Sequence, residues 1–196
     1  MAGTPSGVAW VPDDVTCGSG EVIEEWVIAP PALSLPSRGA NQGTVAAIYR
    51  FADSGASGDA LNSARLIAGL GMDGERYALG KGHFQSEDRW GQALTLIEAE
   101  AIEVLESEHG VVMKPVDARR NIVTRNIDLN ALMGKRFRIG GVLCQGSRLA
   151  EPCAWLQKTT PKGMLRGLVH RGGLRADILE DGIIEVGNVI TPDKSA

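Results

Sequence analysis

Residues 148 to 153, Arg-Leu-Ala-Glu-Pro-Cys, place a thiol where a helix is expected to begin and inside the most basic stretch of the chain. Proline suits the first helical position and Glu151 can approach the cap, so Cys153 is expected in the opening turn of a short helix over residues 154–158. Amide N–H groups at such an end favour the thiolate over the thiol. A thiolate can attack a persulfide or ligate a soft metal, which makes sulfur-centred chemistry the first expectation. The competing reading packs Cys153 as a small hydrophobe under Trp155. Cys144 lies within an expected strand and is read as a core residue, whereas Cys17 falls in a poorly patterned region.

Basic residues collect around that thiol. From His109 to Arg175 there are thirteen Lys or Arg against three acids, although the whole chain carries a net charge of -4. Such a local excess suits either a balanced solvated surface or a face for an anionic ligand. Arg119-Arg120-Asn121 is the densest polar group: guanidinium forks match phosphate or carboxylate, and Asn121 both donates and accepts. The other reading makes it an ion-pair network with the acidic helix described below. Arg148 and Arg171 extend the candidate binding set, and Asp73, Arg76 and His83 occupy a glycine-punctuated passage whose polar groups could approach the same ligand. His170, just before Arg171-Gly172-Gly173, is a candidate proton donor, anion contact or helix C-terminal cap.

Other chemistries are excluded by what is missing. Histidines 83, 109 and 170 have no metal-ligand spacing, the cysteines have no zinc-site spacing, and no GxxxxGK[ST], GxGxxG or GxSxG motif occurs. No aromatic residues interleave with the basic ones and the single RGG is unrepeated, so nucleic acid is not expected as a partner. No apolar run is long enough to cross a bilayer and the first residues do not form a secretory signal. With three widely spaced cysteines, a reducing compartment, the cytoplasm, is expected.

Positioning these groups requires a β-rich scaffold. Strands are expected at residues 44–49, 65–68, 137–139, 142–149, 174–179 and 183–186, with a weaker one at 22–29. Gly140-Gly141 marks one turn, and Asp181-Gly182 favours a hairpin between the last two strands. Thr95 and Glu98 read as a capping box opening a helix with Ile97, Ala101, Val104 and Leu105 on its apolar stripe and Gly110 as its stop. Glu98, Glu100, Glu103, Glu106 and Glu108 are expected on its solvated face. A one-turn helix at 128–132 and a further helix at 163–170 complete the list. Without regular βαβ spacing, this order predicts a mainly β fold with attached helices, a closed or strongly bent antiparallel barrel.

Several of these runs recur together in one known family. Gly69-Leu70-Gly71-Met72-Asp73-Gly74-Glu75-Arg76-Tyr77, Gln92-Ala93-Leu94-Thr95-Leu96-Ile97-Glu98, Arg119-Arg120-Asn121-Ile122-Val123-Thr124-Arg125, Gly134-Lys135-Arg136-Phe137-Arg138-Ile139-Gly140 and Leu149-Ala150-Glu151-Pro152-Cys153 resemble the MOSC domain family, named for the C-terminal domain of molybdenum cofactor sulfurases. The resemblance covers about residues 43–189 and leaves 1–42 as an N-terminal extension and 190–196 as a tail. It implies a barrel of the MOSC type, a link to sulfur transfer or molybdenum-cofactor chemistry, and Cys153 at the family's characteristic cysteine. The expected function is sulfane-sulfur transfer or carriage through Cys153, with His170 assisting proton transfer and Arg76, His83, Arg119, Arg120, Asn121, Arg148 and Arg171 holding an anionic small molecule or pterin. A sulfur-donor or acceptor protein is then a natural partner. Two alternatives stand beside it: a molybdenum-cofactor-dependent reductase of N-hydroxylated compounds with Cys153 on molybdenum, and a noncatalytic pterin or sulfur-carrier binding protein.

Overall fold

The computed structural model describes residues 41–82, 90–152 and 163–194. In chain order these form β1 (Asn41–Arg50), β2 (Asp59–Leu61), β3 (Ser63–Ile67), β4 (Gly71–Met72), β5 (Leu94–Glu98), α1 (Ala99–His109), β6 (Ile122–Ile127), β7 (Arg136–Ile139), β8 (Val142–Leu149), α2 (Met164–Gly167), β9 (Leu174–Ile178), β10 (Gly182–Glu185) and β11 (Val189–Pro192). The possible strand at 22–29, the short helix at 154–158, Cys17, Cys153 and His83 lie outside the described residues. Among those described, no helix is long and apolar enough to cross a membrane.

Seven strands close a barrel in the order β11-β7-β8-β9-β5-β6-β1, with β11 returning to β1 and β2 appended to β1. Closure removes the open edges that a sheet of this size would otherwise expose. The seam is short, Gly43 opposite Ile190 and Thr44 opposite Val189. A second sheet, β10-β3-β4, lies beside it. Among the described residues every strand pairing is antiparallel except β5 with β6, which run parallel and are joined through α1. One βαβ crossover therefore interrupts the all-antiparallel pattern expected from sequence.

Burial alternates along β7 and β9 as a barrel requires. Leu94, Leu96, Ile122, Ile127, Phe137, Ile139, Cys144, Leu174 and Ala176 fill the interior, while Ile97 and Val123 face outward onto α1 and α2 with Ala101, Ile102, Leu105, Met164 and Leu168. β5 is therefore apolar on both faces, as a strand covered by a helix should be. At Cys144, inside the barrel, burial pushes the thiol up to about 12, so it stays protonated.

Two local expectations are corrected by these pairings. Thr95 does not cap a helix: it lies within β5, and α1 begins four residues later with Glu98 at its N-cap and no side-chain cap bond. The Thr95 hydroxyl is instead drawn to Asn121, whose Oδ1 accepts from Thr95 Oγ1 at 2.8 Å and from the Thr95 N–H at 3.1 Å. Asp181-Gly182 does not close a hairpin either, because β9 pairs with β8 and β5 while β10 pairs with β3. Asp181 Oδ1 accepts the Ala68 N–H at 2.7 Å and so ties the two sheets' connections together. The stop at Gly110 is as expected, in the left-handed conformation with φ 63°.

The acids of α1 are less solvated than their spacing suggested. Glu98 Oε1 accepts the Leu129 N–H, Glu100 Oε1 accepts the Asn126 N–H, and Glu103 pairs with Arg125. Only Glu106 and Glu108 lie exposed. The remaining acids clasp the end of β6 to the start of α1.

Candidate functional site

The end of β8 and the entry to β9 form one rim of the barrel, from which the chain continues toward Cys153. Arg120 crosses beneath this rim: its Nε donates to Gly172 O at 3.0 Å and its NH2 to Ala150 O at 2.7 Å. The same two segments are joined by the Ala150 N–H donating to Gly173 O at 2.8 Å. Arg120 is 8% exposed, and a buried guanidinium needs such partners to offset desolvation. Gly172 and Gly173 allow the approach, since a Cβ at Gly172 would overlap Ala150 O and crowd Pro152, and one at Gly173 would overlap Leu96 O. Gly173 also has φ 99°, a conformation in which a side chain is strained.

Above that strut sit Glu151 and His170. Glu151 Oε2 accepts the His170 main-chain N–H at 3.1 Å, and Oε1 lies 3.0 Å from Nδ1. His170 adopts φ 58°, and Asn130 Nδ2 donates to its carbonyl at 2.9 Å. Its ring is 79% exposed. Arg171, the next residue, reaches Glu108 at 3.8 Å and acts electrostatically on Glu98, whose carboxyl burial pushes up to about 7.

The other residues of Arg119-Arg120-Asn121 are also taken up by main chain. Arg119 has left-handed backbone, φ 55°, which turns its guanidinium toward Ala56 O at 2.8 Å and Ser54 O at 2.9 Å. Asn121 Nδ2 donates to Tyr49 O at 3.3 Å. Arg119 also stacks on Phe51, 4.6 Å from the ring centroid, and Arg76 stacks on the same ring at 5.1 Å and on Tyr77 at 5.2 Å. Glu75 completes this cluster, with Oε1 2.7 Å from Arg76 NH1 and Oε2 accepting the Phe51 N–H at 2.7 Å. Burial holds the Glu75 carboxyl above its ordinary range, opposed by Arg76. Burial and then Arg76 lower the Arg119 pKa. A cleft of about 170 Å³ opens here between Phe51, Ser57, Gly58, Val116, Asp117 and Arg119.

Arg148 lies on the outer face of β8, exposed, with its guanidinium 5.6 Å from the Trp90 ring centroid. The structure thus gathers Arg76 with Arg119 around Phe51, and Arg120 with His170 and Arg171 at the rim. Sequence reasoning singled out Asp73 in the glycine-rich passage, yet Asp73 is exposed and the buried acid is Glu75. It gave Glu151 only a capping role and missed its pairing with His170. Among the described residues, no group of three or more His, Cys, Asp or Glu could hold a metal.

A mixed seven-strand barrel carrying one crossover helix, with a polar rim where two strands end, defines the architectural class. The MOSC domain family model matches residues 74–191, and the chain belongs to that family. Among solved structures it is similar to the YUAD protein from Bacillus subtilis, at 13% identity and a TM-score of 0.65, with 76% of this chain and 94% of that one covered. It is also similar to YiiM from Geobacillus stearothermophilus, at 13% identity and a TM-score of 0.57 over 78% and 75% of the two chains. YiiM from Escherichia coli matches at 18% identity and a TM-score of 0.56 over 79% and 71%. No significant sequence match is found among curated proteins. At these identities the likeness shows the fold. The family as a whole is linked to sulfur and molybdenum-cofactor handling.

Proposed function

We propose that this MOSC protein carries or transfers sulfane sulfur through Cys153, to or from an anionic small molecule or a partner protein. The observation that carries the reading is the Leu149-Ala150-Glu151-Pro152-Cys153 run, which leaves the barrel at β8 in a chain belonging to this family. The surroundings of Ala150 and Glu151 support it, since Arg120, Gly172 and Glu151 hold the main chain on either side of the rim. In the transfer, a Cys153 thiolate attacks the outer sulfur of a donor persulfide. The donor's S–S bond breaks and the donor leaves as a thiolate, while Cys153 becomes a persulfide. Attack by an acceptor on the outer sulfur then restores the thiolate, with no net oxidant required. His170 is the candidate proton carrier, and the exposed Arg148 and half-buried Arg171 are the candidate anion contacts.

The family's link to molybdenum cofactor meets a specific obstacle here. A pterin phosphate would call on Arg119, Arg120 and Asn121, which already donate to main-chain carbonyls of the fold. Those residues do not fit that use.

Incubation with a small-molecule persulfide, followed by intact and peptide mass analysis, tests the reading. One added sulfur atom is expected on Cys153 and none on a folded Cys153→Ser variant. Absence of loading in wild type, or full turnover by the serine variant on an identified acceptor, would overturn it.

A further inference from the structure

The outer faces of β8 and β9 bring two arginines together. Alternation along β9 turns Leu174, Ala176 and Ile178 into the barrel and leaves Arg175 and Asp177 outside. A register shift between Gly146 and Arg148 gives β8 one extra residue, Ser147, and sets Arg148 directly opposite Arg175. Such bulges re-aim side chains. Like charges opposed across a sheet are destabilising, and Asp177 offsets one of these two. Its Oδ1 accepts the Gly91 N–H at 2.8 Å and its Oδ2 accepts the Ser147 hydroxyl at 2.6 Å. The three ionised groups therefore leave one net positive charge on this face.

The same residues support an aromatic platform. Gly91 is gripped at both main-chain groups, its N–H by Asp177 and its carbonyl by Arg175 NH1 at 3.3 Å. A Cβ placed at Gly91 would lie 3.5 Å from both Arg148 Nε and Arg175 Cβ, so the two arginines flank this turn. Trp90, just before it, is 51% exposed, and the Arg148 guanidinium stands 5.6 Å from its ring centroid. Among the described residues Arg148 meets that ring rather than a carboxylate, which leaves its planar fork of donors available.

We propose that Trp90, Arg148 and Arg175 bind a planar aromatic carboxylate, its ring against the exposed indole and its carboxylate on the Arg148 fork. A guanidinium matches a carboxylate in bidentate geometry, and an indole face takes an offset-stacked ring. One net positive charge is complementary to a monoanion, whereas a phosphate dianion would leave negative charge in excess. The site stands apart from the sulfur-transfer reading, since no cysteine takes part in it and persulfide loading is not its readout.

Titration of the full-length chain with benzoate, acetate and phenyl phosphate at a pH of about 8, where the phosphate is a dianion, tests this. Binding is followed in ¹H–¹⁵N spectra at the Trp90 indole, assigned by its loss in Trp90→Leu, and at the Gly91 amide. Benzoate should bind on the order of tenfold more tightly than acetate, and more tightly than phenyl phosphate. Arg148→Ala should weaken benzoate on the order of tenfold, while Arg148→Lys, which keeps the charge without the fork, should fall between and serves if the alanine variant does not fold. Trp90→Leu should bring benzoate down to the affinity of acetate. Absence of a saturable benzoate shift, equal affinity for benzoate and acetate in wild type, tighter binding of phenyl phosphate than of benzoate, or unchanged benzoate affinity in both Arg148 variants would each overturn the proposal.

Discussion

The start of β6 and the rim between β8 and β9 both gather charged and polar side chains and use them in opposite ways. Arg119, Arg120 and Asn121 turn inward and spend their donors on carbonyls of Ser54, Ala56, Ala150, Gly172 and Tyr49. Glu151 and His170 pair with each other at the surface and leave an imidazole in solvent. The contrast teaches that density of charge in a sequence does not distinguish a ligand site from a strut. What distinguishes them is whether unpaired main-chain carbonyls lie within reach: a buried arginine beside such carbonyls satisfies both partners, while an exposed side chain keeps its chemistry available.

Substitutions that introduce bulk under the rim should separate the two regions most sharply. Gly173→Ala forces a Cβ into Leu96 O at a strained φ of 99°, and the combined overpacking and backbone strain should cost about 4 kcal/mol of unfolding free energy. Urea titration checks this, and a near-neutral result would mean that β9 enters the barrel with more room than its neighbours allow. Next in size is Arg120→Ala, which leaves Ala150 O and Gly172 O without the guanidinium and should destabilise by about 3 kcal/mol. If denaturation is unchanged and anion binding falls instead, the inward and outward regions have exchanged roles.

A third comparison uses pH. Burial pushes Glu98 up to about 7 from its ordinary 4.5, with Asp128 and Glu100 adding to the rise and Arg171 opposing it. Between those values the folded chain holds a proton that the unfolded chain has released, so this contribution is full below pH 4.5 and is lost as pH rises through about 7. Glu98→Gln keeps an acceptor for the Leu129 N–H and removes the buried charge. It should therefore raise stability by about 2 kcal/mol at a pH of about 8 and change little in acid. Equal effects at both pH values would show that Glu98 is solvated.

The smallest effect belongs to the exposed rim. His170→Ala should alter unfolding free energy by no more than about 0.5 kcal/mol, because surface pairs of this kind contribute little. A loss comparable with that of Arg120→Ala would dissolve the distinction between the two regions.

Sequence made the locally encoded parts legible. β1, β7 and β8 form over the runs expected of them, Gly140 makes its turn at φ 56°, and Gly110 ends α1. The parts that depend on distant partners were not legible. A Thr followed three residues later by Glu reads alike at a helix cap and at a strand end, and only Asn121, 26 residues away, decides for the strand. Asp181-Gly182 carries a hairpin signal, yet β9 finds two other strands to pair with. Arg119, Arg120 and Asn121 were recognisable as a polar group, but nothing local says that carbonyls from four other segments converge on them. Glu151 and His170 are 19 residues apart, too far for spacing to reveal the pair.

The seam between β1 and β11 has a consequence for how the polypeptide is made. Because the first described barrel strand is sealed by the last, the cylinder cannot close on the ribosome until β11 has emerged. Gly43 and Ile190 then meet across a loop of about 150 residues, whose entropy is lost before its contacts form. During that interval the nascent chain presents β1 and β7 as open edges, the state in which strand exchange with another molecule competes with closure.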